Sequence, residues 1–347
     1  MNFSSDTAAP AHPAILAAIA QANGGAAPSY GADLWMTLAT ERLKETFETD
    51  LDMWLVSSGT AANALGLSVL CPPTGAILCH QEAHIELDER GAPEFFSGGA
   101  KLRLLPGNHG KIDALALQAR LAANRFDFVH ETPAQVVSIS NLTECGVAYT
   151  AEETAELASR AHAAGLAVHL DGARFANAAA SLKASPADLS WKAGIDVMSF
   201  GATKNGAMGC EAILLFGRAR GQIEELRVRA KRAGHMPPKM RFLGAQMAAY
   251  LAGDLWLDLA GRANRAATGL AGVLTGPAAG RLAHPVDGNE VFVELSNEAA
   301  GRLTQAGATF YRWIDGSHRF VCSWTTTDAE IAAAAAVFAG VGARHDA

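Results

Sequence analysis

Two apolar patterns alternate through the middle of the chain. Short, nearly continuous apolar runs occur at "MWLVSS" (Met53–Ser58), "AILCH" (Ala76–His80), "KLRLLP" (Lys101–Pro106), "AQVVSISNL" (Ala134–Leu142), "LAVHLDGAR" (Leu166–Arg174), "DVMSFGATK" (Asp196–Lys204) and "EAILLF" (Glu211–Phe216). Between them lie stretches with helical spacing: one from about Ala61, then "DALALQARLAA", then "AEETAELASRAHAAG", which stops at Gly165, a natural C-capping residue. A strand covered on both faces loses its in–out alternation. Apolar runs separated by amphipathic helices therefore predict a mainly parallel sheet with helices on both sides, an α/β fold.

The pattern changes after about residue 255. "DLWLDLAGRANRAATGLAGVLT" reads as a long connecting helix. After it, the strand-like runs "NEVFVELS", "ATFYRWID" and "RFVCSWTT" alternate with helices expected at Asn297–Gly307 and Asp328–Gly342, a compact α+β unit. A chain of 347 residues exceeds what one core usually organises. The expected division is an N-terminal arm (1–25), a large domain (26–254) and a small C-terminal α+β domain (255–347). There is no internal repeat and no low-complexity linker.

Charge and composition narrow the function. The net charge is −7 with no basic cluster, which argues against a nucleic-acid partner. Five scattered cysteines without a CxxC pair read as reduced thiols of a cytoplasmic protein. The N-terminus lacks the basic start of a signal peptide. The longest apolar tract, "EIAAAAAVFAGVGA", is shorter than the ~20 residues of a membrane span. No His/Cys/Asp group has ligand spacing, so no metal site is expected.

The candidate chemistry sits at strand ends, where open α/β sheets bind ligands. "MSFGATKNGAMG" holds a single charge, Lys204, among residues too small to shield it. A desolvated lysine loses its proton readily, and the neutral amine attacks carbonyls. A lysine snorkelling from a loop is the ordinary alternative. Ser58, Gly59 and Thr60 lie between a strand and a helix start, either an anion site or only a capped turn. Asp171 and Arg174 end the strand "HLDGAR", where an acid also caps helices, and His84 alone reads as structural. Taken together these groups suit one ligand with an anionic end, a flat body, a ring nitrogen facing a carboxylate and an aldehyde facing an amine. That ligand is pyridoxal 5'-phosphate (PLP).

The motifs "FSSD", "SYGADLW", "SGTAAN", "AHIELDERGAPEFFSGGAKL", "DGARFANA", "WKAGIDVMSFGATKNG", "KMRFL" and "RFVCSW" extend this over nearly the full length. Through them the chain resembles the threonine aldolase family of fold-type-I, aspartate aminotransferase-like PLP enzymes, and most closely its low-specificity L-threonine and phenylserine aldolase group. The resemblance implies that Lys204 anchors PLP covalently and Asp171 pairs with the pyridinium nitrogen. It implies that Gly59 and Thr60 hold the phosphate, helped by Arg241 from a neighbouring subunit, and that His84 stacks on the ring. Ser5, Arg174 and Arg319 would bind the substrate carboxylate. Tyr30 matches a family tyrosine, and Lys231 loosely matches a lysine upstream of a late arginine. A homo-oligomer, dimer or tetramer, is implied as well.

One position departs from the family pattern. Many members carry a second histidine after the strand matching "VVSISNL"; here the segment reads "NLTECG", with Glu144 near that place. The expected activity is cleavage of L-threonine, L-allo-threonine and L-phenylserine to glycine and an aldehyde, with His84 as base and Glu144 sharing the hydroxyl contact. The alternatives are a β-eliminating lyase or aminotransferase on the same scaffold, or a PLP-binding protein without catalysis.

Overall fold

In the computed structural model, which describes residues 1–276 and 279–339, seven strands form one sheet. They are β1 (Asp52–Val56), β2 (Ala76–His80), β3 (Lys101–Leu105), β4 (Ala134–Ser140), β5 (Ala167–Gly172), β6 (Val197–Gly201) and β7 (Glu211–Leu215), in the order β1-β7-β6-β5-β4-β2-β3. The run β6-β5-β4-β2-β3 is parallel, whereas β7 is antiparallel to both β1 and β6. Strands β2, β6 and β7 are buried along their whole length, which is why their sequences show no alternation. β3 alone carries exposed positions, and its Lys101 and Arg103 suit a sheet edge.

Local sequence signals fix where the helices begin. The Ser58 hydroxyl accepts the Ala61 N–H and starts the helix Gly59–Leu70. Thr150 and Glu153 form a capping box at the head of the helix Ala151–Ala163. Gly165, with φ +80°, lets the chain turn from that helix into β5.

Behind β6 the core is aromatic. Phe47, Phe175, Phe200, Phe216, Tyr250 and Trp256 pack ring against ring, with Phe200 5.4 Å from Phe47 and 5.7 Å from Trp256. Fully burying each such ring contributes about 2 kcal/mol. The helix Leu255–Leu274 joins this core to a second one. Its first half puts Trp256 and Ala260 into the large cluster, and its second half puts Leu270 and Leu274 against Val291, Val293 and Phe320.

The second sheet holds β8 (Gly280–Leu282), β9 (Glu290–Leu295), β10 (Tyr311–Arg312) and β11 (His318–Val321), all antiparallel, in the order β10-β11-β9-β8. "ATFYRWID" supplies only two strand residues, and β8 has no counterpart in the sequence reading. The helix expected over Asp328–Gly342 spans Asp328–Ala336, and residues from 340 onward lie outside the described ones. The N-terminus also joins this sheet: the Phe3 N–H donates to Thr309 O at 2.9 Å, and the Val321 N–H donates to Phe3 O at 2.8 Å. Phe3 is fully buried in the second core. Among the described residues no helix is long and apolar enough to cross a membrane.

Candidate active site

The carboxyl ends of the parallel strands open into a cavity of about 270 Å³, lined among others by Ser58, Gly59, Thr60, His84, Asp171 and Lys204. A second hollow, of about 370 Å³, shares His84, Glu144, Arg174 and Lys204 with it and adds Ser5, Glu290 and Arg319. Two glycines bring the loops after β5 and β6 together. A Cβ at Gly172 would stand 2.5 Å from Ser199 O, and one at Gly201 would stand 2.6 Å from Ala173 O.

Lys204 sits in the one-turn segment Thr203–Asn205. Asn205 pins that turn to the aromatic core, its Nδ2 donating to the Tyr250 hydroxyl and to Trp256 O, each at 2.8 Å. Lys204 Nζ has no hydrogen-bond or ion-pair partner among the described residues. Burial lowers its pKa, and the positive Arg174 nearby lowers it further. Asp171 faces the same cavity. Its Oδ2 accepts from Asn63 Nδ2 at 2.8 Å and its Oδ1 from the Ala173 N–H at 3.0 Å. Burial alone would raise the Asp171 carboxyl, but the charge of His84, the Ala173 N–H and the charge of Lys204 hold it below the usual range. An unpaired amine and a permanent carboxylate thus share one small cavity.

This donor set fits PLP. The amides of Gly59 and Thr60 open the helix Gly59–Leu70 and have no partner within it. A Cβ at Gly59 would meet nothing within 4 Å, so an anion has room against the helix start.

His84 begins the short helix Ile85 also belongs to, and two glutamates hold it from different sides. Its Nδ1 lies 2.8 Å from Glu89 Oε1, and its backbone N–H donates to Glu144 Oε1 at 2.9 Å. Burial would depress the imidazole, but the Glu89 bond and the Asp171 charge outweigh it and raise the His84 pKa. Glu144 also accepts from Ser140 Oγ at 2.8 Å, while its Oε2 is buried without a hydrogen-bond partner. Burial first, and then the Asp171 charge, push Glu144 up to about 7.

The remaining expected residues are placed unevenly. Ser5 lines the second hollow, but its Oγ contacts Thr7 Oγ1 at 2.7 Å. Arg174 donates from Nε and Nη2 to Asp6 at 2.8 and 3.2 Å. Arg319 donates from Nε and Nη2 to Glu290 Oε1 at 3.0 and 2.8 Å. Both forks expected to meet a substrate carboxylate therefore hold carboxylates of the chain itself. Tyr30, Lys231 and Arg241 line neither cavity. Lys231 Nζ lies 4.8 Å from the centre of the Tyr30 ring, and Arg241 donates to Gly25 O at 2.9 Å.

Several site residues escaped the sequence reading. Glu89, Asn63 and Ser199 complete a buried network: Asn63 Nδ2 donates to both Glu89 and Asp171, and Ser199 Oγ donates to Asn63 Oδ1. Glu211 on β7 lines the cavity, and burial pushes it up to about 7. The available signal was polarity in the wrong place: Asn63 is the one amide in a buried helix, and Glu211 opens an otherwise apolar strand. The fold also gathers a group that residue spacing concealed, since ligand atoms of His84, Glu89 and Asp171 lie within 4.8 Å of one another. Their hydrogen bonds to each other and to Asn63 account for that closeness.

Comparison with known proteins adds the family. The sequence profile of the beta-eliminating lyases matches residues 2–298. The chain is 42% identical over 326 residues to a low specificity L-threonine aldolase of Pseudomonas aeruginosa, covering 94% of this chain and 93% of the relative. A solved threonine aldolase structure from Leishmania major superposes with a TM-score of 0.90 at 30% identity, covering 97% of this chain and 98% of that one. An aspartate aminotransferase from Rhodobacter sphaeroides, 18% identical with a TM-score of 0.72 over 97% of this chain and 90% of that one, shares the fold.

Proposed function

This chain belongs to the beta-eliminating lyase family, and from that membership we propose that it is an aldolase cleaving L-threonine, L-allo-threonine and L-phenylserine to glycine and an aldehyde. It is a lyase whose cofactor is PLP. The observation that carries the reading is the unpaired Lys204 amine and the ionised Asp171 carboxylate facing one cavity.

Lys204 would hold the cofactor through its neutral amine, and Asp171 would keep the ring nitrogen protonated. Gly59 and Thr60 bind the phosphate through their amides, with Ser58 shaping the turn. When bound, PLP supplies a sink for the electron pair left on Cα as the Cα–Cβ bond breaks. Arg174, Arg319 and Ser5 would hold the substrate carboxylate, and that fixed anchor would select the L enantiomer. His84 takes the β-hydroxyl proton at Nε2, because its Nδ1 is committed to Glu89. Glu144, beside His84, shares the hydroxyl contact and so accommodates both β configurations.

The same proposal covers three coarser matters. The chain divides into an arm (1–25), a large domain (26–254) and a small domain (255–347), a reading supported by its two separate sheets and cores. It works in the cytoplasm as a homo-oligomer, a dimer or tetramer. Tyr30, Lys231 and Arg241 then serve a partner's cavity, a reading supported by their absence from their own and by the exposed Leu34 and Met208. The deciding assay incubates the holoenzyme with each of the three amino acids and measures glycine and aldehyde. Formation of 2-oxobutanoate from threonine without glycine, or transfer of the amino group, would replace the aldolase reading.

A further inference from the structure

Four charges meet at the wall of the second hollow: the half-buried Arg174 and Arg319, and the buried Asp6 and Glu290, whose side chains are 1% exposed. They cancel, two positive against two negative. The two acids are bound differently. Asp6 is saturated, since Arg174 reaches both its oxygens and Asn289 Nδ2 adds a bond at 3.0 Å. Glu290 gives a single oxygen to Arg319, and its Oε2 stands 3.5 Å from Arg174 Nη1 without a hydrogen bond. Glu290 lines the hollow together with Arg319 and Lys204, whereas Asp6 does not.

We propose that Glu290 is an internal substitute for the substrate's α-carboxylate: it fills the Arg319 fork in the free enzyme, and the amino acid must displace it to bind. The inference rests on the reading that the α-carboxylate is received in this hollow. A planar guanidinium offers its best bidentate geometry to one carboxylate at a time, so the two compete for the same donors. Arg319 does not lose its place during the exchange, because its guanidinium lies 5.1 Å from the centre of the Trp313 ring. Glu290 is thus a positioning residue that sets amino-acid affinity from within. A neutral set of four charges also attracts an incoming anion less than a set with one acid removed.

The test is glycine binding to the holoenzyme, followed by calorimetry, with glycinamide as a probe that lacks the carboxylate. Glu290→Gln is expected to bind glycine about tenfold more tightly and glycinamide no more tightly. Glu290→Asp, which keeps the charge but withdraws it from Arg319, is expected to fall between wild type and the glutamine variant. It carries the test alone if the glutamine variant does not fold. A purely structural Glu290 predicts the reverse order, with Glu290→Gln weakest. Unchanged or weakened glycine binding, or equal gains for glycine and glycinamide, would overturn the proposal. If glycine binding tightens as expected but no glycine is released from threonine, the exchange stands and the aldolase reading falls.

Discussion

Glu89 and Glu144 each engage one polar atom of His84, the first its ring Nδ1 and the second its backbone N–H. Each therefore has its own experimental signature. Glu89 holds a proton on Nδ1 and raises the His84 pKa, so Glu89→Gln should move the titration of the His84 ring to lower pH, read by NMR. An unmoved titration would remove Glu89 from that role. Glu144 is an acid whose folded pKa, about 7, lies above the 4.5 of a free glutamate. Between those values the folded protein binds more protons than the unfolded one, so the group's contribution to stability is present at low pH and is lost as pH rises through that window. The loss is on the order of 3 kcal/mol. Glu144→Gln should flatten this slope in denaturant melts of the cofactor-free protein, and an unaltered slope would contradict the assignment. In the holoenzyme the same substitution should change the ratio of threonine to allo-threonine cleavage more than the summed rate, measured as glycine release from each.

The strand ends set the spacing of the site, and they leave no room for error where β5 and β6 meet. At Gly172 a methyl would face Ser199 O at 2.5 Å and Met198 Cε at 2.7 Å, and the first of these is backbone. Gly172→Ala should cost about 2–4 kcal/mol and weaken PLP retention, because the strain falls beside Asp171. Gly221→Ala, where nothing lies within 4 Å, should stay within about 0.5 kcal/mol. Equal melting temperatures for the two variants would show that the close approach is not restrictive. These elements also mark the limits of reading the chain alone. β2, β4, β5 and β6 were legible because a doubly covered strand leaves a continuous apolar run. The reversed direction of β7 was not legible, because periodicity reports burial and carries no sign for strand direction. Lys204 and Asp171 stood out as charges the local pattern could not explain. The pairing of Arg174 with Asp6, and of Arg319 with Glu290, was hidden, because it joins segments far apart in sequence.

On the scale of the whole molecule, the N-terminal segment ties the two sheets into one unit. Phe3 is packed in the second core, and three residues later Asp6 reaches Arg174 at the end of β5. Phe3→Ala should cost about 3–5 kcal/mol by denaturant titration. It should also raise the substrate KM, because the Asp6–Arg174 pair is positioned by that anchor; a stability loss with an unchanged KM would separate the two. The same segment bears on the order of events during synthesis. The ribosome makes Phe3 long before Val321, its hydrogen-bond partner, at roughly 5–20 residues per second. The seven-stranded sheet can assemble in the meantime, but the nascent chain must carry an uncovered phenylalanine and an unplaced Asp6 until β11 has emerged. The wall proposed to receive the substrate carboxylate is therefore among the last parts of the chain to be completed.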